Sequence, residues 1–258
     1  MMLKQLVTIV LVFKLSLETK TQMESRVNNG ERVPITSSPH SVFLTINSNL
    51  GTFVCGSSVI NQKILLTAAH CIEYCVDNCV DSSAYAGSAK KKKGVKVNFL
   101  RTIIHEKYSR KKIKNDIGLV LLESPLLLGK SIKRVALLRK PPASRFATIA
   151  GWGLINERLY IYTDYLHSVK QNVWKFDECK EKIPSIPNGT ICAGDIYGQK
   201  YASEGDSGSA LVVDKYIQIG IVSYKRPDIS QAIVVYTDVS YFYYWIKKNS
   251  KNLFCNYV

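Results

Sequence analysis

Acidic residues are scarce in this 258-residue chain: 20 Asp and Glu stand against 35 Lys and Arg, a net charge of +15. Past the first residues no apolar stretch approaches the roughly 18 needed to span a bilayer as a helix, so the processed chain is expected to be soluble. Glycine (15) and proline (8) are at ordinary levels, and neither low-complexity tracts nor repeats occur. A disordered or fibrous chain is thereby excluded. A metal site is also missing its parts. Cys71, Cys75 and Cys79 fall four apart, but no fourth ligand accompanies them, and thiolate zinc sites are uncommon in secreted chains.

What remains can fold. Hydrophobic residues make up 46% of the chain, enough for one large all-β domain or two small ones. The basic excess suits acidic partners such as nucleic acid, glycans or acidic surfaces. Near the start, Lys4 precedes an apolar run from Leu6 to Phe13. This is the pattern of a secretory signal peptide, here over residues 1–18. Secretion places the seven cysteines in an oxidising compartment where pairs form disulfides, and an odd number leaves one over.

Short alternating segments dominate: 41–46, 57–68, 94–104, 116–123, 146–153, 209–213, 216–224 and 232–239. They are rich in Val, Ile, Thr and Tyr and bounded by Gly, Pro, Asn, Asp or Lys. Many short strands at near-regular spacing predict an all-β sandwich or barrel. Residues 126–142 read as a connector, because Pro141 and Pro142 cannot pair in a sheet. A helix is predicted over 239–252, with Tyr241, Tyr244, Trp245 and Lys248 at helical spacing.

Three segments carry chemistry. "LLTAAHC" ends an apolar run with His70. "NDIGLVLLE" opens a buried-looking strand with Asp116, where an acid needs a partner. "SEGDSGSA" holds Ser203, Ser207 and Ser209. With "RVNNG", "AGWG", "ICAGD", "GIVSY", "VYTDV" and the "YYWI" helix, all in order, the chain resembles the trypsin/chymotrypsin family of serine proteases over nearly its whole length after residue 26.

The resemblance implies two antiparallel six-stranded β-barrels with a C-terminal helix, a chymotrypsin-like fold. The first barrel is expected in about 27–130 and the second, with the helix, in about 131–258. It implies a nucleophile at Ser207, a base at His70 and an orienting carboxylate at Asp116, with backbone N–H groups of Gly205 and Ser207 as the oxyanion hole. Ser203 and Ser209 take structural roles. Residues 19–26 become an activation propeptide, cut after Arg26 so that the Val27 ammonium pairs with Asp206. Cys55–Cys71 and Cys179–Cys192 match family bridges. Cys75 and Cys79 can pair locally, which leaves Cys255 over. No cofactor or metal is implied, and with lysines at 90–93 where a family calcium loop would need acids, none is expected there.

Several positions depart from the family. The usual cysteine four residues before the nucleophile is Ser203, and its partner is missing, so the specificity pocket is expected to be loose. The pocket base is Tyr201, without the acid that a tryptic enzyme carries, so cleavage after Arg or Lys is not expected. The walls are read as Lys225 and Val234. Lys225 either attracts an acidic substrate residue or is solvated. Ser223 and Lys225 would pair with the substrate backbone. Asn188 heads a glycosylation sequon. Removing residues 1–26 takes four basic and two acidic residues, leaving 31 against 18, or +13. The basic clusters at 90–96, 110–114, 130–134 and 139–140 are solvated loop tips or a site for acidic glycans. His40, His105 and His167 read as structural or surface residues. The expected protein is a secreted, extracellular endopeptidase whose partners are peptide substrates, an activating protease and protein inhibitors. The rival expectation is an inert homologue that acts by binding.

Overall fold

The structure, a computed structural model, describes residues 30–75, 79, 81–195, 197–198 and 200–255. The signal and activation segments, with Arg26 and Val27, lie outside the described residues.

Six strands close the first barrel: β1 (Ser41–Ser48), β2 (Gly51–Val59), β3 (Ile64–Thr67), β4 (Ser83–Ala86), β5 (Val95–Ile104) and β6 (Gly118–Leu122). They run in the ring order β1-β2-β3-β6-β5-β4, all antiparallel. The second barrel uses β7 (Phe146–Gly151), β8 (His167–Trp174), β9 (Thr190–Ala193), β10 (Ala210–Val213), β11 (Ile217–Arg226) and β12 (Ser230–Asp238). Its ring order is β7-β8-β9-β12-β11-β10, closed where Leu211 meets Ile149. The two-barrel expectation therefore holds.

Each ring encloses its own apolar core. Leu44, Ile64, Leu66, Leu119 and Leu122 fill the first; Ile149, Leu211, Val234 and Tyr236 fill the second. Fully burying one such side chain is worth about 1.5–3 kcal/mol. The segment read as one strand over 57–68 is two, because Asn61 turns the chain at 60–63 by accepting from the Lys63 and Ile64 N–H groups. In the predicted connector, Ala136–Leu137 pairs in parallel with β11, and Pro141 and Pro142 fall after it.

A single helical turn, α1 (Ala69–Ile72), follows β3, and α2 (Phe176–Lys182) follows β8. The last helix, α3, spans Tyr243–Cys255 and seats in the core of the first barrel through Ile246 and Leu253, beside Phe242. The buried stripe is one position away from the predicted one. Tyr241 and Tyr244 face solvent, because Phe242 and Ile246 take the positions that reach the core. Disulfides join Cys55–Cys71, Cys75–Cys79 and Cys179–Cys192.

Candidate active site

Strand register brings His70 and Asp116 together. Thr67 at the end of β3 pairs with Gly118 at the start of β6. Three residues past one and two before the other, the side chains meet. His70 Nδ1 lies 2.8 Å from Asp116 Oδ2, and the His70 backbone N–H donates to Asp116 Oδ1 at 2.9 Å. Two groups of the second barrel complete the cage. Ser223 Oγ donates to Asp116 Oδ2 at 2.5 Å, and Thr237 Oγ1 donates to the Asp116 carbonyl at 2.7 Å. The Cys55–Cys71 bridge ties α1 to β2 directly beside the histidine. Cys55, His70 and Cys71 cluster closely, but the two sulfurs are bonded to each other and offer no thiolate to a metal.

Burial opposes charge on His70, yet the Asp116 carboxylate outweighs it and the imidazole pKa lies above its ordinary value; Glu73 adds to the rise and Arg110 opposes it. Burial likewise opposes charge on Asp116, and the His70 contact, with hydrogen bonds from His70 and Ser223, holds the carboxyl below its ordinary value. The carboxylate form is therefore the resting one.

Ser207 comes from the second barrel, in the turn before β10. Its carbonyl accepts from the Gly56 N–H at 2.7 Å, which docks the turn on the first barrel. The neighbouring Gly208 has φ +80°, and a Cβ there would lie 2.2 Å from Thr67 Oγ1 and 2.4 Å from the Gly56 carbonyl. Only glycine lets the turn come this close to the strand that leads into His70. Ser207 Oγ makes no hydrogen bond to His70 Nε2 among the described residues; such contacts are often long before substrate binds. Gly205, at φ +90°, turns the chain two residues earlier, and the N–H groups of Gly205 and Ser207 have no partner among the described residues. An imidazole fixed at one nitrogen, a hydroxyl from the facing barrel and two free N–H groups can perform nucleophilic acyl transfer.

Asp206 is fully buried and accepts from the Gly153 and Ser203 N–H groups, each at 2.8 Å. Burial pushes its carboxyl up to about 6 despite those bonds.

The cleft beside Ser207 has a volume of about 270 Å³ and is lined by Leu154, Ala202, Ser203, Val222, Ser223 and Lys225, among others. Lys225 turns into it. Val234 does not reach it and packs in the barrel core with Tyr201 and Ala202. The group that the sequence did not reveal is Glu157, which accepts from the Tyr201 hydroxyl, from Ser203 Oγ and from Lys225 Nζ. Nothing in "GLINERLY" marks it as a pocket residue. The available signal was a lysine at a half-buried strand position, which needs a counterion.

The remaining histidines lie apart from this site. His40 is buried in the first barrel's surroundings, where burial lowers its pKa to about 4. His105 stacks on Trp245 at 5.2 Å, and His167 Nδ1 contacts the Tyr165 carbonyl at 2.8 Å. Asn188 is exposed. Among the described residues no helix is long and apolar enough to cross a membrane.

Paired six-stranded barrels with an imidazole, a carboxylate and a hydroxyl gathered at their junction mark the class of chymotrypsin-fold serine hydrolases. A family profile described as Trypsin matches residues 27–246, and the chain belongs to that family. Chymotrypsin of Phaedon cochleariae is 34% identical over 228 residues, covering 86% of this chain and 82% of its own. The structure of HL collagenase superposes with a TM-score of 0.76 at 28% identity, over 86% of this chain and 98% of that one. A scabies mite inactivated protease paralogue, S-D1, superposes at 0.75 with 25% identity, over 86% and 97%. With these relatives, the protein is a serine-type endopeptidase.

Proposed function

We propose that the protein is a secreted endopeptidase, made as an inactive precursor and activated by cleavage after Arg26. His70 takes the proton of Ser207 as the hydroxyl attacks a peptide carbonyl, then returns it to the leaving amine. Asp116 keeps Nδ1 protonated and stabilises the imidazolium. The Gly205 and Ser207 N–H groups receive the developing oxyanion; in comparable sites one such donor is worth roughly 3–4 kcal/mol. Freed Val27 would bring an ammonium to Asp206 and so order the turn that carries both donors. Substrate would add as an extended strand beside Ser223 and Lys225.

The observation that carries this reading is the His70–Asp116 pair, fixed by bonds from both barrels and facing the turn of Ser207. The experiment is covalent labelling by a fluorophosphonate before and after cleavage at Arg26. Labelling that appears only after cleavage, and is lost in Ser207→Ala, is expected. Labelling that persists in Ser207→Ala overturns the assignment.

A second reading, an inert homologue that acts by binding, draws on the polar cluster in the cleft and on the likeness to an inactivated paralogue. Absence of labelling after cleavage is its signature. Exposed lysines at 90, 92–93 and 111–112 offer a surface for acidic glycans in either case; salt-insensitive elution from heparin would count against that use.

A further inference from the structure

One wall of the cleft beside Ser207 is a carboxylate, that of Glu157, and three donors meet it. Ser203 Oγ donates to Glu157 Oε1 at 2.5 Å and the Tyr201 hydroxyl donates to Oε2 at 3.1 Å. Lys225 Nζ closes on Oε1, and its ammonium also stands 4.7 Å from the centre of the Tyr201 ring. An ammonium, a phenol and a hydroxyl thus converge on one point, all as donors. The other acid of the cleft, Glu204, is engaged elsewhere, accepting from the Tyr162 hydroxyl at 2.8 Å.

The donors and the acceptor come from different elements, although the Lys225 and Glu157 side chains are about equally buried, 21% and 23% exposed. Tyr201 and Ser203 are 6% and 4% exposed, and Lys225 lies on β11 opposite Val234. Glu157 follows the short strand Leu154–Asn156, which pairs with Ile161–Tyr162 and whose Leu154 N–H donates to the Glu204 carbonyl at 2.8 Å. The turn between those strands carries Leu159 and Tyr160, 68% and 72% exposed. Tyr201 and Ser203 come from the loop before β10 and Lys225 from β11, whereas Glu157 sits on a hairpin whose turn faces solvent.

We propose that this cleft selects Asp or Glu at the substrate residue whose carbonyl Ser207 attacks, and that Glu157 is an internal competitor which that substrate carboxylate displaces. The inference rests on the peptidase reading above. The surroundings agree in sign. Past Tyr224, a second cleft of about 480 Å³ is lined by Lys111, Lys112, Lys114 and Arg226, the last already paired with Asp228. A peptide running from one cleft to the other meets positive charge along its path.

The test uses full-length protein cleaved after Arg26, with its active sites counted by fluorophosphonate. Matched fluorogenic peptides differ only in that residue: Asp, Glu, Lys, Arg, Leu or Phe. The acidic substrates are expected to be cut best by the wild type. Glu157→Ala should raise kcat/KM for them by about tenfold through a lower KM, since it removes a competitor. Lys225→Ala should lower it at least as much. Preference for Lys or Arg that disappears in Glu157→Ala overturns the inference, because Glu157 would then be the substrate's partner. So does a preference for Leu or Phe that neither variant changes. A wild type that takes up no fluorophosphonate overturns the peptidase reading itself, and the inference falls with it.

Discussion

Ser223, on a strand of the second barrel, donates through Oγ to Oδ2 of Asp116, in the first barrel, at 2.5 Å across 107 residues of chain. The same oxygen faces His70 Nδ1. The carboxylate that orients the imidazole is therefore itself oriented from the opposite barrel. Asp116→Asn keeps the shape but reverses one hydrogen bond and admits the wrong tautomer. It should lower kcat by about 10⁴ with KM little changed. Ser223→Ala leaves both His70 contacts and should cost only about tenfold. Steady-state kinetics on titrated enzyme separates these outcomes; equal losses would mean that Ser223 touches the reacting atoms.

On the proposed mechanism, the raised pKa of His70 sets the acid limb of activity. Only the neutral imidazole accepts a proton, so kcat/KM rises as pH climbs through the His70 value. The midpoint should lie above about 6.5, the ordinary histidine value. Glu73 supports the imidazolium and is itself paired with Arg110 at 3.0 Å. Glu73→Gln should move the limb to lower pH and Arg110→Ala to higher pH. Profiles of kcat/KM against pH check both directions, and a limb that neither variant moves would assign it to another group.

Asp206 would give the proposed activation a stability signature. Its folded-state pKa of about 6 exceeds its ordinary value of 3.8, so the folded chain holds this proton more tightly than the unfolded chain. Stability from this group then falls as pH rises from about 4 through 6, a loss of about 3 kcal/mol at neutral pH. An ammonium delivered to the carboxylate reverses that loss. Cleavage after Arg26 should therefore raise Tm more at pH 7.5 than at pH 5, and Asp206→Asn should remove the difference. A Tm gain equal at both values would show that Val27 does not reach Asp206.

The bridge beside the histidine should matter more than its neighbour. Cys55–Cys71 closes 16 residues and Cys75–Cys79 closes four. Loop entropy gives about 3 and about 2 kcal/mol respectively. Replacing both members by serine should lower Tm in that order, and only the first pair should also reduce kcat, because it anchors α1. Calorimetry and kinetics on the two double variants check this.

Short alternating segments made an all-β sandwich or barrel legible in the sequence, and the two-barrel form and the triad candidates came through the family resemblance that their motifs carry. Gly208 must pass within contact of Thr67 and Gly56, and the strand before His70 is apolar because it is buried on both faces. Less legible were β4, β8 and β9, whose residues mix polar and apolar types on barrel faces, and α2, seven residues long. Glu157 was hidden for a different reason: its partners Tyr201, Ser203 and Lys225 are 44, 46 and 68 residues away. No local pattern encodes such a meeting. The missing cysteine at Ser203 led only to the expectation of a loose pocket; the structure instead places a hydrogen-bonded acid against that serine.

α3 follows the second barrel in sequence but packs Ile246 and Leu253 against the buried residues of the first. The two halves are thus laced to each other, and prising them apart would expose both side chains to water. Separating the two barrels would therefore cost the burial of these two side chains, about 1.5–3 kcal/mol each.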